Sequence, residues 1–238
     1  MQARINNLDG VKIETRDCAC QVPPPLNQKP AMTDASTLYH HGNLRQSLLE
    51  NSLLLLGNEG IEGLSLRRLA ELTGVSRAAP YHHFKDKQAL LAAVAEQGFA
   101  ELERLLVRVV NDEHIALEQR LQHAVLGYLQ FAQTQPALYQ LMFGQTLWAP
   151  VESNNHAAST TQFQRMAKDC FRHYVQLFER LQEQSPLVAS NHGLRSAQLL
   201  WASLQGLATL TRDGAFFDSR ELGEIASHAL AQFAHRQV

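Results

Sequence analysis

Cysteine is scarce in this chain: three residues in 238, with Cys18 and Cys20 in a Cys-x-Cys near the start and Cys170 alone on a predicted helix. They are too few and too oddly placed for a disulfide framework, and no two further ligands stand near Cys18 and Cys20 to complete a zinc site. Long hydrophobic runs are missing too. No apolar stretch approaches the roughly 20 residues that span a bilayer. The opening residues lack the apolar core of a secretory signal, so a cytoplasmic protein with no membrane partner is expected. Nor is there an excess of one charge: the formal net charge is −2, which excludes a general polycation. Apolar and polar residues nowhere alternate long enough for a convincing strand. Nucleophile elbow, phosphate loop, dinucleotide fingerprint and His-Glu-x-x-His are all absent, leaving no motif that argues for an enzyme or a cofactor.

What the chain does have is ample apolar content, 45%, arranged largely at helical spacing. Residues 1–36, with the run Pro23–Pro25, read as a disordered or weakly ordered leader. Leu44, Leu48, Leu49, Ser52, Leu53, Leu55 and Leu56 predict a first helix over about 42–59, with Gly60 placed to end it. Further amphipathic helices are expected near 116–134, 137–146, 157–184, 190–212 and 220–236, with Pro136, Pro150, Ser185-Pro186 and Asp213-Gly214 at their breaks. The expected fold is all-α.

The densest information lies in residues 65–87. Ser65 is placed to cap a helix whose apolar stripe is Leu66, Leu69 and Leu72, and Ala70 is small where a second helix must approach. Gly74 ends that helix where a left-handed backbone is cheapest. Val75 then turns inward, and Ser76 is placed to cap a short second helix. Asp86 caps a long third one, along which Leu90, Leu91, Val94, Leu102, Leu105 and Val109 recur at three- and four-residue steps. This is the layout of a helix-turn-helix, whose second helix enters the DNA major groove. Local charge agrees. Between Ser65 and Leu90, five cations (Arg67, Arg68, Arg77, Lys85, Lys87) oppose only Glu71 and Asp86, a net of +3. Pro80 removes an amide and pushes Ala79 away from helical dihedrals, so a short, distorted recognition helix is expected.

These elements together resemble the tetracycline-repressor (TetR) family of regulators. The resemblance rests on Leu64–Ala70, Gly74-Val75-Ser76 and Tyr81–Leu91, within about residues 41–95. The C-terminal half is similar to the family's Trp-His-Gly subgroup through Trp201 and Gly206, with Gln205 in place of the histidine. The resemblance implies a helix-turn-helix domain over 37–92 and a helical ligand-binding and dimerisation domain over 93–238. It further implies a homodimeric, sequence-specific DNA-binding transcriptional regulator, a repressor on a palindromic operator, released by a small molecule. A chromosome-organising DNA-binding protein and a helical interaction adaptor are the alternatives.

Resemblance and residue chemistry agree on the DNA contacts. Arg77 has the fork that bonds guanine O6 and N7 together, and Ala78 and Ala79 permit close approach to thymine methyls. Tyr81 and His82 match positions along the phosphates. Lys87, with a helix start behind it, and Ser65 are expected to hold phosphates. Arg67, Ser76 and Lys85 complete the set. His82 and His83 diverge by about 100° on a helix, so no metal is expected there.

For the effector, His123, Tyr128, Phe131, Tyr139, Phe143, Trp148, Phe163 and Phe171 offer aromatic walls with polar tips, suited to an apolar or aromatic molecule; plain core is the alternative. For the dimer, Leu194, Ala197, Trp201, Leu204 and Ala208 form a seam at three- and four-residue steps. With Leu222, Ile225, Ala229 and Phe233 of the last helix, they predict a four-helix interface between two copies. An intramolecular core would produce the same pattern.

Overall fold

The computed structural model describes residues 44–148, 157–184, 193–214, 223–225, 228 and 230. The expected leader with Cys18 and Cys20 lies outside the described residues, as do Leu222, Ala229 and Phe233 of the expected seam. Chain contacts separate Met1–Leu38 from Tyr39–Val238, and all that follows concerns the second unit.

Helix α1 (Leu44–Gly63) buries Leu48, Leu49, Leu55 and Leu56. Ser52 is buried among them, its hydroxyl donating to the Leu48 carbonyl at 2.7 Å and thereby satisfied. Gly60 kinks the helix at φ 70°. Helix α2 (Leu66–Thr73) starts at Ser65, whose Oγ accepts the Arg68 N–H at 3.2 Å, and ends at Gly74 with φ 66° and ψ 27°. Replacing Ser65 with alanine is expected to lower stability by about 1 kcal/mol, read as a shifted urea midpoint at unchanged slope. Leu66, Leu69 and Ala70 are buried, but Leu72, expected in the same stripe, is 48% exposed. Six residues on from Leu66, it lies about 120° around the helix and off the buried face. Leu72→Gln should therefore change stability by less than about 0.5 kcal/mol in the same assay.

A single 3₁₀ turn, Ala79–His82, follows, and helix α3 (Lys87–Val110) begins at Asp86, whose carboxylate accepts the Ala89 N–H at 2.8 Å. With 24 residues, α3 extends about 36 Å at 1.5 Å per residue. It runs unbroken past position 92, so the segment after the turn and the C-terminal half share one rod. Helices α4 (Leu117–Thr134), α5 (Pro136–Phe143), α6 (Gln145–Trp148), α7 (Ala157–Gln184) and α8 (Gly193–Arg212) complete the order. Pro136 opens α5, where its missing amide would be unsatisfied anyway. Among the described residues every regular element is helical, and no helix is long and apolar enough to cross a membrane.

The rod is wrapped rather than free. Helices α4, α5 and α7 pack on α3, α8 lies on α7 and α4, and α5 also touches α1. Gly98 permits the close crossing of α3 and α5: a Cβ there would strike the Met142 sulfur and lie 3.1 Å from Leu138. One residue on, Phe99 is fully buried, edge-on to Phe143 and to Phe163 with centroids 5.2 Å away in each case.

Candidate nucleic-acid interface and control half

Gly74 makes the turn. Its N–H donates to the Glu71 carbonyl at 3.3 Å, and the Val75 N–H donates to Ala70 at 3.0 Å, closing α2 and reversing the chain. The Ala79, Tyr81 and His83 amides then donate to the Ser76, Ala78 and Pro80 carbonyls at 3.0–3.1 Å. The recognition element is therefore one 3₁₀ turn with the buried Pro80 near its start. Ser76 does not cap it through its side chain; Ala78 is the cap residue and no side chain bonds there. The reason is local. The Ala79 amide, which a Ser76 hydroxyl would serve, is held by Ser76's own carbonyl, and Pro80 has no amide to offer.

Phe84 is buried and anchors the end of this segment, with the Arg45 guanidinium 5.5 Å from its ring centroid. Arg45 also bears on Glu96 of α3: partial burial raises the Glu96 pKa, and the Arg45 charge opposes that rise. Sequence reading missed Arg45, because a cation over a ring 39 residues away leaves no local pattern. The chain thus holds Phe84 from behind and leaves the front open. Arg67, Ser76, Arg77, Ala78, Tyr81, His82 and Lys85 are exposed, with Tyr81 at 56%, while Ser65, Ala79 and Lys87 are half-buried. Arg67 pairs with Glu71 at 3.4 Å and Arg68 with Glu59 at 3.5 Å. Arg77, Lys85 and Lys87 have no ion-pair partner among the described residues. Three uncompensated cations around one short turn are suited to a polyanion.

In the control half, the eight expected pocket residues divide. Tyr128, Tyr139, Phe143 and Phe171 gather with Tyr174 and Trp201. The indole stands 5.2 Å from Tyr128, 5.4 Å from Tyr174, 5.6 Å from Phe171 and 6.0 Å from Phe143. Trp148 and Phe163 form a second pair, 4.8 Å apart, that reaches Phe99. Neither the buried Phe131 nor the half-buried His123 joins these ring contacts. Polar atoms inside the cluster form one chain. The Tyr139 hydroxyl donates to Gln205 Oε1 at 2.7 Å, so in the 2.8 Å bond between the two hydroxyls Tyr128 is the donor. Burial raises both phenols, Tyr139 to about 12, keeping them neutral donors.

The expected seam on α8 needs correction. Ala197, Leu204 and Ala208 are buried within the protomer and Trp201 belongs to the aromatic cluster, because this face of α8 packs on α7 and α4. Leu194, which starts the same stripe, is exposed at 46%, and the opposite side of the helix is exposed at Leu199 and Leu210, with open space over Gly206. Ile225 is half-buried.

Cys170 of α7 is buried against the Phe99 carbonyl at 3.5 Å, and burial first, then Glu103 and Asp169, push its thiol to about 12. In a Cys18→Ser, Cys20→Ser variant, the folded chain should react with iodoacetamide at pH 8 on the order of 10³-fold more slowly than the unfolded chain, for want of thiolate. Mass spectrometry of a time course reads this; equal rates would contradict the packing of α7 on α3.

Two family profiles match. "Bacterial regulatory proteins, tetR family" covers residues 48–94, and "Tetracyclin repressor-like, C-terminal domain" covers 121–233, without naming the Trp-His-Gly subgroup. Tetracycline repressor protein class C of Escherichia coli is 52% identical over 52 residues, 22% of this chain and 24% of that protein. The HTH-type transcriptional repressor AcnR of Corynebacterium efficiens is 43% identical over 60 residues, 25% of this chain and 32% of that protein. These matches span about a quarter to a third of the curated relatives. Among solved structures, a protein of unknown function from Rhodococcus sp. RHA1 is 31% identical with a TM-score of 0.69, covering 84% of this chain and 97% of that one.

Proposed function

Since the chain belongs to the tetR family of bacterial regulatory proteins, we propose that it is a cytoplasmic, sequence-specific DNA-binding repressor, a homodimer released from its operator by a small molecule. The observation that carries this reading is the exposed turn after Gly74, with Arg77, Lys85 and Lys87 around it and without an ion-pair partner among the described residues. Arg77 reads a guanine, Ala78 and Ala79 leave room for base edges, and Ser65, Tyr81, His82, Lys85 and Lys87 lie along phosphates. Two copies place these turns about 34–36 Å apart on a palindrome. The exposed side of α8, with Leu199, Gly206 and Leu210, supplies the twofold contact.

Helix α5 is the link between effector and DNA. It contributes Tyr139 and Phe143 to the aromatic cluster, meets α3 at Gly98 through Met142, and touches α1. An apolar or aromatic effector with one hydrogen-bonding group enters beside Trp201, engages the Tyr128–Tyr139–Gln205 chain and shifts α5, and with it the tilt of α3. It acts only through unequal affinity for the two shapes; a 100-fold preference corresponds to about 2.7 kcal/mol. Genome-wide mapping of bound DNA supplies the operator, and titration of the operator complex tests the coupling. A ligand that binds among these rings and leaves operator affinity unchanged overturns it.

A further inference from the structure

A second feature lies at the C-terminal end of α3, apart from both sites above. The chain leaves α3 at Val110 and enters α4 at Leu117. Beside this joint is a cavity of about 320 Å³, walled by 115–118, Arg120, Arg180 and Glu183. That volume lies at the small end of ligand pockets, about 300–1,000 Å³.

Arg120 donates through Nε to the Ile115 carbonyl at 3.0 Å and through Nη1 to the Val110 carbonyl at 3.2 Å. Arg180, from α7, donates through Nη1 to the same Val110 oxygen at 3.4 Å. Two guanidinium groups therefore meet on one neutral oxygen. Capping the last carbonyls of α3 accounts for one arginine, since a cation at a helix C-terminus is favourable. It does not account for a second cation brought against the first. Glu118 and Glu183 line the same cavity, yet neither arginine is ion-paired among the described residues. Each guanidinium carries five N–H donors, and most of theirs are not used among the described residues. Converging guanidinium donors, bonded to a neutral carbonyl rather than to the glutamates beside them, and an adjacent half-open cavity fit one kind of occupant.

We infer that this cavity binds a small molecule with a single anionic head, a carboxylate or a phosphate, held by Arg120 and Arg180. Ile115 and Leu117 offer its body apolar surface, while Glu118 and Glu183 disfavour a polyanion. The inference does not depend on DNA binding or on the aromatic cluster.

Calorimetric titration of the full-length protein tests it, with inorganic phosphate in one arm and butyrate in the other, each at constant ionic strength against chloride. One arm is expected to saturate at one site per chain, and the tighter arm identifies the head group. Arg180→Gln removes one exposed donor and should weaken binding about 10-fold or more. Glu183→Gln, which takes a negative charge from the wall, should tighten it, and carries the test if the arginine variant fails to fold. No saturable heat beyond chloride in either arm overturns the site. So does saturable binding that both substitutions leave unchanged.

Discussion

Phe99→Ala is expected to lower stability by about 3–5 kcal/mol, from a total that for domains is typically about 5–15 kcal/mol. The upper part of that range applies because the space cannot close. Phe99 is fully buried, with Phe143 from α5 on one edge and Phe163 from α7 on another, each at 5.2 Å. Collapse would require α5 to move toward α3, but at Gly98 the two helices already touch through Met142 and Leu138. Nor can α7 move in freely, since the Cys170 thiol already donates to the Phe99 carbonyl. Urea unfolding should show a reduced midpoint at unchanged slope, and the melting temperature should fall by roughly 2–4 °C for each kcal/mol of destabilisation. A loss below about 1 kcal/mol would mean that the rod is not locked in this way, and the proposed transmission through α5 would fail with it.

The same packing explains what the sequence could and could not disclose. Chain-local features are legible because their causes are local. Ser65 and Asp86 cap because their oxygens face amides three residues on, and Gly74 turns because a left-handed backbone suits a residue without Cβ. Pro80 shortens the recognition helix for an equally local reason, although competition between the Ser76 hydroxyl and the Ser76 carbonyl for one amide could not be decided from residue types. Periodicity does worse. The stepping of Leu194, Ala197, Trp201, Leu204 and Ala208 marks one apolar face, buried at Ala197, Leu204 and Ala208 although Leu194 is exposed, but period alone does not say whether that face meets its own chain or another copy. It meets its own chain, and the exposed Leu199 and Leu210 lie on the side that the pattern left unmarked. Pairings that depend on the tertiary fold are silent altogether: Arg45 over Phe84, Gln205 on Tyr139, Arg120 with Arg180.

Arg77→Ala and Lys87→Ala are expected to weaken operator binding in different ways, and the difference tests the assignment of the turn. Arg77 is exposed at the start of the recognition element, with no carboxylate paired to it among the described residues, and its fork has the geometry to bond a guanine edge. Its loss should cost about 1–3 kcal/mol on operators that keep that guanine and little on duplexes that lack it, so preference at one base step relaxes. Lys87 is the first residue of α3, directly after the Asp86 cap, and a helix start combined with an ammonium suits a phosphate. Its removal should weaken every duplex alike and reduce the salt slope by about 0.9 for each phosphate no longer neutralised, hence by roughly two in a dimer. Anisotropy titrations of operator and scrambled DNA across a salt series separate the two. If both variants lose affinity for scrambled DNA equally, Arg77 only neutralises another phosphate, and the reading residue must be sought among Tyr81, His82 and Lys85.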